Sequence, residues 1–374
     1  MIIHLSILGL IMLVSLIWEQ RVKYTKLNAI YSGKSVSDVR GPLAPWVIVL
    51  GYIAFLTAMR TSYNDTTVYV LSFEKLEGTV DAAFSVLTGD GKDKGFDFVG
   101  NLFKYFVSEN YHVWFGFWAL IEAVILIKLL RRESASFLEA CFFFFTSTLY
   151  VNNFSMMRQW FAVVVLFGAS KFIKERKFIP FLLICLLVAQ IHNSAYLLII
   201  VYFLVLGKPW SFKQNALLVI FVILILYLNP LLQTMSDLLQ DSPYDYVVET
   251  MKTGNGSSVI RVFISSVPVI IAFLNRRYIG NDKMINLCIN MSLLNFLLNI
   301  VATFTSGLYV IRFATYMNMY NTILYPYLLN VVLHKNNQKL VKIAFYTLFL
   351  AFYIYHMIHQ GEWHYVSDIL GSFK

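Results

Sequence analysis

Long apolar runs, broken by short charged clusters, set the pattern of this chain. Roughly 20 helical residues cross the hydrocarbon of a bilayer. Read at that length, the runs predict helices over about 2–18, 44–59, 112–130, 136–151, 157–173, 178–191, 194–207, 214–229, 259–275, 284–303, 313–333 and 341–358. The expected fold is all-α: one integral membrane domain, 1–374, built as a polytopic bundle of about twelve transmembrane helices. Several runs are short, and 178–207 also fits a hairpin that does not span fully. Two polar stretches are long, 60–111 and 230–258. In the first, the apolar spacing of Phe96, Val99, Leu102, Phe103 and Phe106 predicts a helix lying along the membrane surface. The second starts at Pro230 and ends in GNGSS, a hinge before the next helix. Loops of this length are often lids over a site. No internal repeat supports an inverted-repeat transporter plan.

Composition sharpens the class. Only 14% of residues are charged and 58% are hydrophobic, whereas soluble domains carry about 25% charged residues. The first run has no leading basic residue and no small-residue cleavage site, so it reads as a membrane helix rather than a removed signal. Cys141, Cys185 and Cys288 all lie in apolar runs and read as packing residues. The net charge of +9 does not indicate nucleic acid, because its distribution follows the positive-inside rule. With Met1 outside, the inner segments hold the basic clusters Arg21–Arg40, Lys128–Arg132, Lys171–Lys177, Lys208–Lys213, Arg276–Lys283 and Lys335–Lys342, while most acids fall outside. Both termini are then external, as are the two long loops.

With this topology, polar residues at helix ends converge on the external side. They are Arg60 and Asp65 after the second helix; Asn152, Asn153, Arg158 and Gln159 at the fourth turn; His192 and Asn193; and Tyr309, Arg312 and Tyr316. Three arginines at one membrane boundary repel one another unless an anion lies among them, and guanidinium forks suit phosphate oxygens. Three of them fit a pyrophosphate better than a monophosphate. His192 and Asp65 are the titratable groups suited to take a proton from a sugar hydroxyl. Each has a plainer reading: Arg158 as a snorkelling interfacial residue, Arg60 and Arg312 as helix anchors, Asp65 as a turn former, His192 as a packed histidine, Tyr309 and Tyr316 as belt aromatics. Glu122 and Glu139, within helices, read as ion-paired structural acids. HMIHQGEWH near the C-terminus is no standard metal-ligand set and reads as an interfacial tail. No Walker loop, GxSxG elbow, HExxH or Rossmann fingerprint is present.

Three pieces then stand together: RTSYNDTTVYVLSF over 60–73, NNFSMMRQWFAVVVLFGASKFIKERK over 152–177, and AQIHNSAYL over 189–197, with YVIRFATYMNMY following at 309–320. In this order they resemble the EpsG-like, Wzy-type bacterial polysaccharide polymerases of O-antigen, capsule and exopolysaccharide synthesis. The resemblance implies a GT-C-like glycosyltransferase of the bacterial inner membrane. It would join undecaprenyl-pyrophosphate-linked oligosaccharide repeat units at the external face, without a metal or other cofactor. It places Arg60, Asp65, Arg158, Gln159, His192 and Arg312 at motif positions. The family's acid before a Gly-aromatic pair falls in KDKGFDF, on Asp93 or Asp97. Arg60, Arg158 and Arg312 would hold the pyrophosphate. Asn152, Gln159, Asn193, Tyr309 and Tyr316 would line the sugar path. Either His192 or Asp65 would be the base. The partners implied are the lipid-linked glycan, membrane lipid and a chain-length regulator. A ligase or single-sugar transferase using the same donor is the near alternative, and a flippase for the lipid-linked sugar the distant one.

Overall fold

The computed structural model describes residues 2–89, 93–239, 249–252, 256–333, 335–359 and 364–373. The elements are helical apart from one two-stranded hairpin. Four helices are long and apolar enough to cross a membrane: Ile2–Tyr31, Tyr111–Glu133, Lys283–Thr303 and Gln338–His359. Shorter apolar helices accompany them, among them Ala44–Met59, Phe178–Ala189 and Val259–Leu274. The expected runs therefore appear as helices, but several are subdivided. The run 157–173 is two pieces, Met157–Gly168 and Ser170–Lys174, parting beside Gly168, a weak helix former. The run 313–333 divides into Leu308–Asn318, Asn321–Tyr327 and a wide turn at Leu328–Val332.

The elements named from here are α1 (Ile2–Tyr31), α2 (Ala44–Met59), α3 (Thr66–Glu74), α4 (Val80–Thr88), α5 (Lys94–Phe106), α6 (Tyr111–Glu133), α7 (Phe137–Thr146), α8 (Asn152–Ser155), α9 (Met157–Gly168), α10 (Ser170–Lys174) and α11 (Phe178–Ala189). Helix α1 runs 13 residues beyond the expected end at Trp18. Its charges are satisfied by protein instead of ending the helix. Glu19 accepts from the Ser136 hydroxyl at 2.6 Å and the Leu138 N–H at 2.7 Å, capping α7. Lys26 is fully buried and donates to the carbonyls of Val36, Val39 and Arg132. Glu139 lies 2.9 Å from Lys342 and 3.6 Å from Lys23, so it is ion-paired as expected. Glu122 is buried within α6, with Arg60 as its attracting charge.

The chain forms two compact units, one from Met1–Ile199 with Tyr325–Lys374, the other from Ile200–Leu324. In the first, α2 packs along α6. The stretch 60–111 folds onto the start of α6 as three helices, α3, α4 and α5. Asn110 caps α6 by accepting the His112 N–H at 2.8 Å, and Arg131 and Arg132 complement the dipole in its last turn. The apolar face expected on α5 exists, and protein covers its Phe96 and Phe103 while Phe106 stays exposed. Phe96 stacks on Trp118 at 5.4 Å, Phe103 meets Trp114 at 4.9 Å, and Phe73 of α3 stacks on Trp114 at 5.3 Å. This aromatic cluster, with Tyr69, Met157 and Ile191, holds the stretch in place.

The C-terminal tail is a docked hairpin, Tyr365–Ser367 against Gly371–Phe373, antiparallel. Val366 pairs with Ser62, and the Tyr365 hydroxyl donates to the Leu56 carbonyl at 2.7 Å. Asp368 accepts from the Thr61 hydroxyl at 2.8 Å and sits 2.9 Å from the His112 ring. The segment after α2 is thus fixed from both sides. In HMIHQGEWH, Glu362 lies outside the described residues, and among those described no metal-capable group of three occurs.

In the second unit, Val269, Leu293 and Leu297 pack with Trp210 and Phe221. Of the loop 230–258, residues 240–248 and 253–255 lie outside the described residues. Its last part is pinned by the Ser257 N–H donating to the Ala302 carbonyl at 2.7 Å.

Candidate functional site

Arg158 is the second residue of α9, and its Nη1 lies 3.1 Å from Asp93 Oδ2. Its guanidinium also lies beside the rings of Tyr69 and Phe96, 5.8 and 5.6 Å from their centroids. A third of the side chain remains exposed. That suits an arginine that is positioned by protein yet open to a ligand.

Asp93 is the junction of the site. Its side chain is 11% exposed. Oδ1 accepts the Asn193 N–H at 3.2 Å, and Oδ2 faces both Arg158 and His192 Nδ1, the latter at 3.6 Å. The last contact is slightly longer than a hydrogen bond. Asp93 has a left-handed backbone, φ 55°, and its carbonyl accepts the Phe96 N–H as α5 begins. Burial alone would raise its carboxyl; His192, Arg158 and the Asn193 N–H outweigh that and hold it below the usual carboxylate value. A depressed folded value means the contribution is complete above the ordinary carboxylate range and is lost only as pH falls through the folded value. Asp97, one turn on, goes the other way: burial raises it, Arg158 lowers it less, and the charge of Asp93 adds to the rise.

Gly95 brings these loops together. Its N–H donates to the Gln190 carbonyl at 2.8 Å. A Cβ there would fall 2.7 Å from Gln190 Cβ and 2.8 Å from its carbonyl oxygen. No side chain fits without moving backbone. Gly95→Val is therefore expected to cost about 1–3 kcal/mol through overpacking and to part Asp93 from His192. A thermal unfolding series in detergent checks it; a variant with the wild-type midpoint would show that the close approach is not needed.

Arg60 is placed differently from the expectation. It is fully buried at the end of α2. Nε donates to the Thr66 hydroxyl at 3.1 Å, Nη1 to the Thr57 carbonyl, Nη2 faces Met157 Sδ at 3.7 Å, and the group lies 4.2 Å over the Phe115 ring. Thr66 in turn donates to the Tyr63 carbonyl at 2.6 Å. Arg60 ties α2, α3, α6 and α9 together one residue from Arg158, so it frames the site and offers no open fork to a phosphate. Arg60→Ala is expected to cost about 2–5 kcal/mol of stability, because it empties a packed site and strands buried acceptors. Folded yield and unfolding midpoint read this directly. A stable Arg60→Ala protein lacking only activity would return Arg60 to the ligand-binding group.

Asp65 is the N-cap of α3, one turn before Tyr69, whose ring lies 5.8 Å from the Arg158 guanidinium. Its carboxylate makes no capping bond to the helix. Asn152 begins α8, and its carbonyl accepts the Met156 N–H at 3.1 Å. Asn153 is buried and donates to the Tyr150 carbonyl, and Gln159 is buried within α9. Asn193 contributes its backbone N–H to Asp93. Tyr309, Arg312 and Tyr316 are spaced three and four apart on one face of helix Leu308–Asn318, in the second unit. The structure thus gathers Arg158, His192, Asn193 and Asp93, with Asp65 near them, and makes Arg60 their support. Asp93 is the residue that residue-type reasoning left open between two positions. The signal was the acid two residues before Gly95-Phe96, the one pair close enough to Gln190 to exclude a Cβ.

The model of the EpsG family matches residues 43–367. The chain belongs to the EpsG family. No curated protein and no solved structure gives a match. EpsG membership makes this a membrane protein of polysaccharide biosynthesis, of a glycosyltransferase-like family, and points to a polymerase-type function. The EpsG match runs from the start of α2 to the first strand of the hairpin, so it covers every residue of the Asp93–Arg158–His192 cluster.

Proposed function

We propose that this EpsG-family chain polymerises oligosaccharide repeat units carried on a polyprenyl pyrophosphate, at the external face of the bacterial inner membrane. The observation that carries the reading is the Arg158–Asp93–His192 cluster, in which one carboxylate faces both a half-open guanidinium and an imidazole. In the proposed step, a hydroxyl oxygen of the acceptor unit attacks the anomeric carbon of the donor glycan. The bond from that carbon to the pyrophosphate oxygen breaks, and the hydroxyl proton passes to His192. Arg158 binds the pyrophosphate and stabilises the charge that grows as it departs. Asp93 orients the imidazole, as a carboxylate does for a histidine base. That pairing favours His192 over Asp65 as base, and leaves Asp65 with Asn152, Gln159 and Asn193 to position sugar.

The arginine supplies the electrostatic work, so the proposal requires no metal. Twelve spans, a GT-C-like arrangement and external termini belong to the same proposal, as do Arg312, Tyr309 and Tyr316 as further substrate contacts. So does a chain-length regulator as partner. The test is polymer formation by purified protein from lipid-pyrophosphate-linked repeat units with EDTA present. A ladder of products supports polymerisation. A single addition to a different acceptor would make the protein a ligase, and ion-coupled movement of the lipid-linked sugar with unchanged glycan length would make it a transporter.

A further inference from the structure

We propose that a groove at the other end of α6 and α9 binds the phosphate headgroup of an anionic glycerophospholipid. The groove has a volume of about 350 Å³ and lies within the first unit, at the lower end of ligand-pocket sizes, about 300–1,000 Å³. One wall is a single face of α6, Ile125, Lys128, Leu129 and Arg132, spaced three and four apart. The opposite wall repeats that spacing along α9 and α10 with Val165, Gly168, Ala169 and Phe172. Gly168 sets the separation: a Cβ there would fall 2.7 Å from Ile125. Arg158 is ten residues before Gly168, about 15 Å along a helix, so this is not the site described above.

Charge and depth identify the occupant. Lys128, Arg132 and Lys171 line the groove. Buried Glu133 already neutralises two nearby cations, Arg132 at 2.7 Å and Lys174 at 3.1 Å. Lys128 and Lys171 have no carboxylate within salt-bridge distance among the described residues; Lys171 lies 4.6 Å from the Phe172 ring centroid. Both are exposed at the ends of helices that run in the same sense. Complementing the helix dipoles accounts for cations here. It does not account for an apolar channel between two of them. Ile125 lies three residues up α6 from Lys128, and Val165 six residues up from Lys171, so the groove is cationic at its mouth and apolar toward the helix middles. An amphiphile with a phosphate at the interface and an acyl chain along the helices matches both features, and basic pockets between membrane helices bind such headgroups.

The experiment titrates the purified full chain in neutral detergent with dioctanoyl phosphatidylglycerol, dioctanoyl phosphatidylcholine or inorganic phosphate, and reads the unfolding midpoint. Phosphatidylglycerol is expected to raise the midpoint, and the other two are not. In Lys128→Gln/Lys171→Gln the apparent affinity is expected to fall roughly 30-fold, from two surface cations lost. Ile184→Trp keeps both charges but fills the floor contributed by α11, and it is expected to abolish the shift. Equal shifts with phosphatidylcholine would mean a chain-only groove, and equal shifts with phosphate a free-anion site; either overturns the proposal. So does an unchanged phosphatidylglycerol affinity in a folded version of either variant. Because Arg158→Ala leaves the groove intact, it should retain the shift whatever it does to polymer formation.

Discussion

Polymer output from Arg158→Ala is expected to drop by roughly 10²–10³-fold, the usual effect of losing one preorganised donor at a departing charge, while folded yield stays close to wild type. The two halves of this expectation have separate causes. Activity falls because Arg158 is the described cation of the site that combines a fixed position with an open face: Nη1 is held by Asp93 at 3.1 Å, yet a third of the side chain meets solvent. Folding survives because Asp93 keeps the Asn193 N–H and His192 when Arg158 is removed. Arg158→Lys separates charge from shape. A lysine restores a point charge but not the planar fork, so an intermediate loss of about tenfold is expected. The product ladder from purified protein, quantified at several donor concentrations, measures all three proteins. A ladder undiminished in Arg158→Ala would keep the EpsG assignment and remove Arg158 from the chemistry.

Asp93→Asn is expected to be as damaging, by roughly 10²–10⁴-fold, although it changes the side chain by little more than a charge. An amide oxygen can still accept the Asn193 N–H. It cannot pair as an ion with the Arg158 guanidinium, and its NH₂ would meet Arg158 donor to donor. The conservative exchange distinguishes a lost orienting charge from a merely loosened loop. Asp93→Glu keeps a carboxylate and should recover part of the output if the charge is what matters. A loosened loop would leave Asp93→Glu as damaged as Asp93→Asn. The reciprocal exchange, Asp93→Arg with Arg158→Asp, should rebuild the ion pair and recover folded protein without recovering the ladder. An Asp93→Asn protein with wild-type output would refute the role given to the carboxylate.

Helix α2 shows how far hydropathy alone carries: the expected 44–59 is the observed Ala44–Met59. It is a run whose residues each prefer hydrocarbon, with Pro45 at its start and a charge at its end. Helix α1 shows where such reading stops. The expected end at Trp18 is overrun by 13 residues, because Glu19 and Lys26 find partners over 100 positions away in Ser136, Leu138 and Arg132. A window of hydropathy prices each charge as if it were alone. The arginines divide in the same manner. Arg60 after α2 and Arg158 at the start of α9 both read from the sequence as external helix-end arginines, yet one is closed in by Thr57, Thr66, Met157 and Phe115 and the other is a third exposed.

By itself the sequence determined the helical membrane class, most helix positions, the family resemblance, and the candidacy of Arg158 and His192. Each of these depends on residue type and local spacing. Only the tertiary structure decided that Asp93 rather than Asp97 joins them, that Arg60 is a strut, that protein covers Phe96 and Phe103 of α5, and that the C-terminal tail is a hairpin pinned to Ser62. Those facts turn on which side chains meet across long separations. Pairing and burial are properties of contacts, and the order of residues along a chain does not list its contacts.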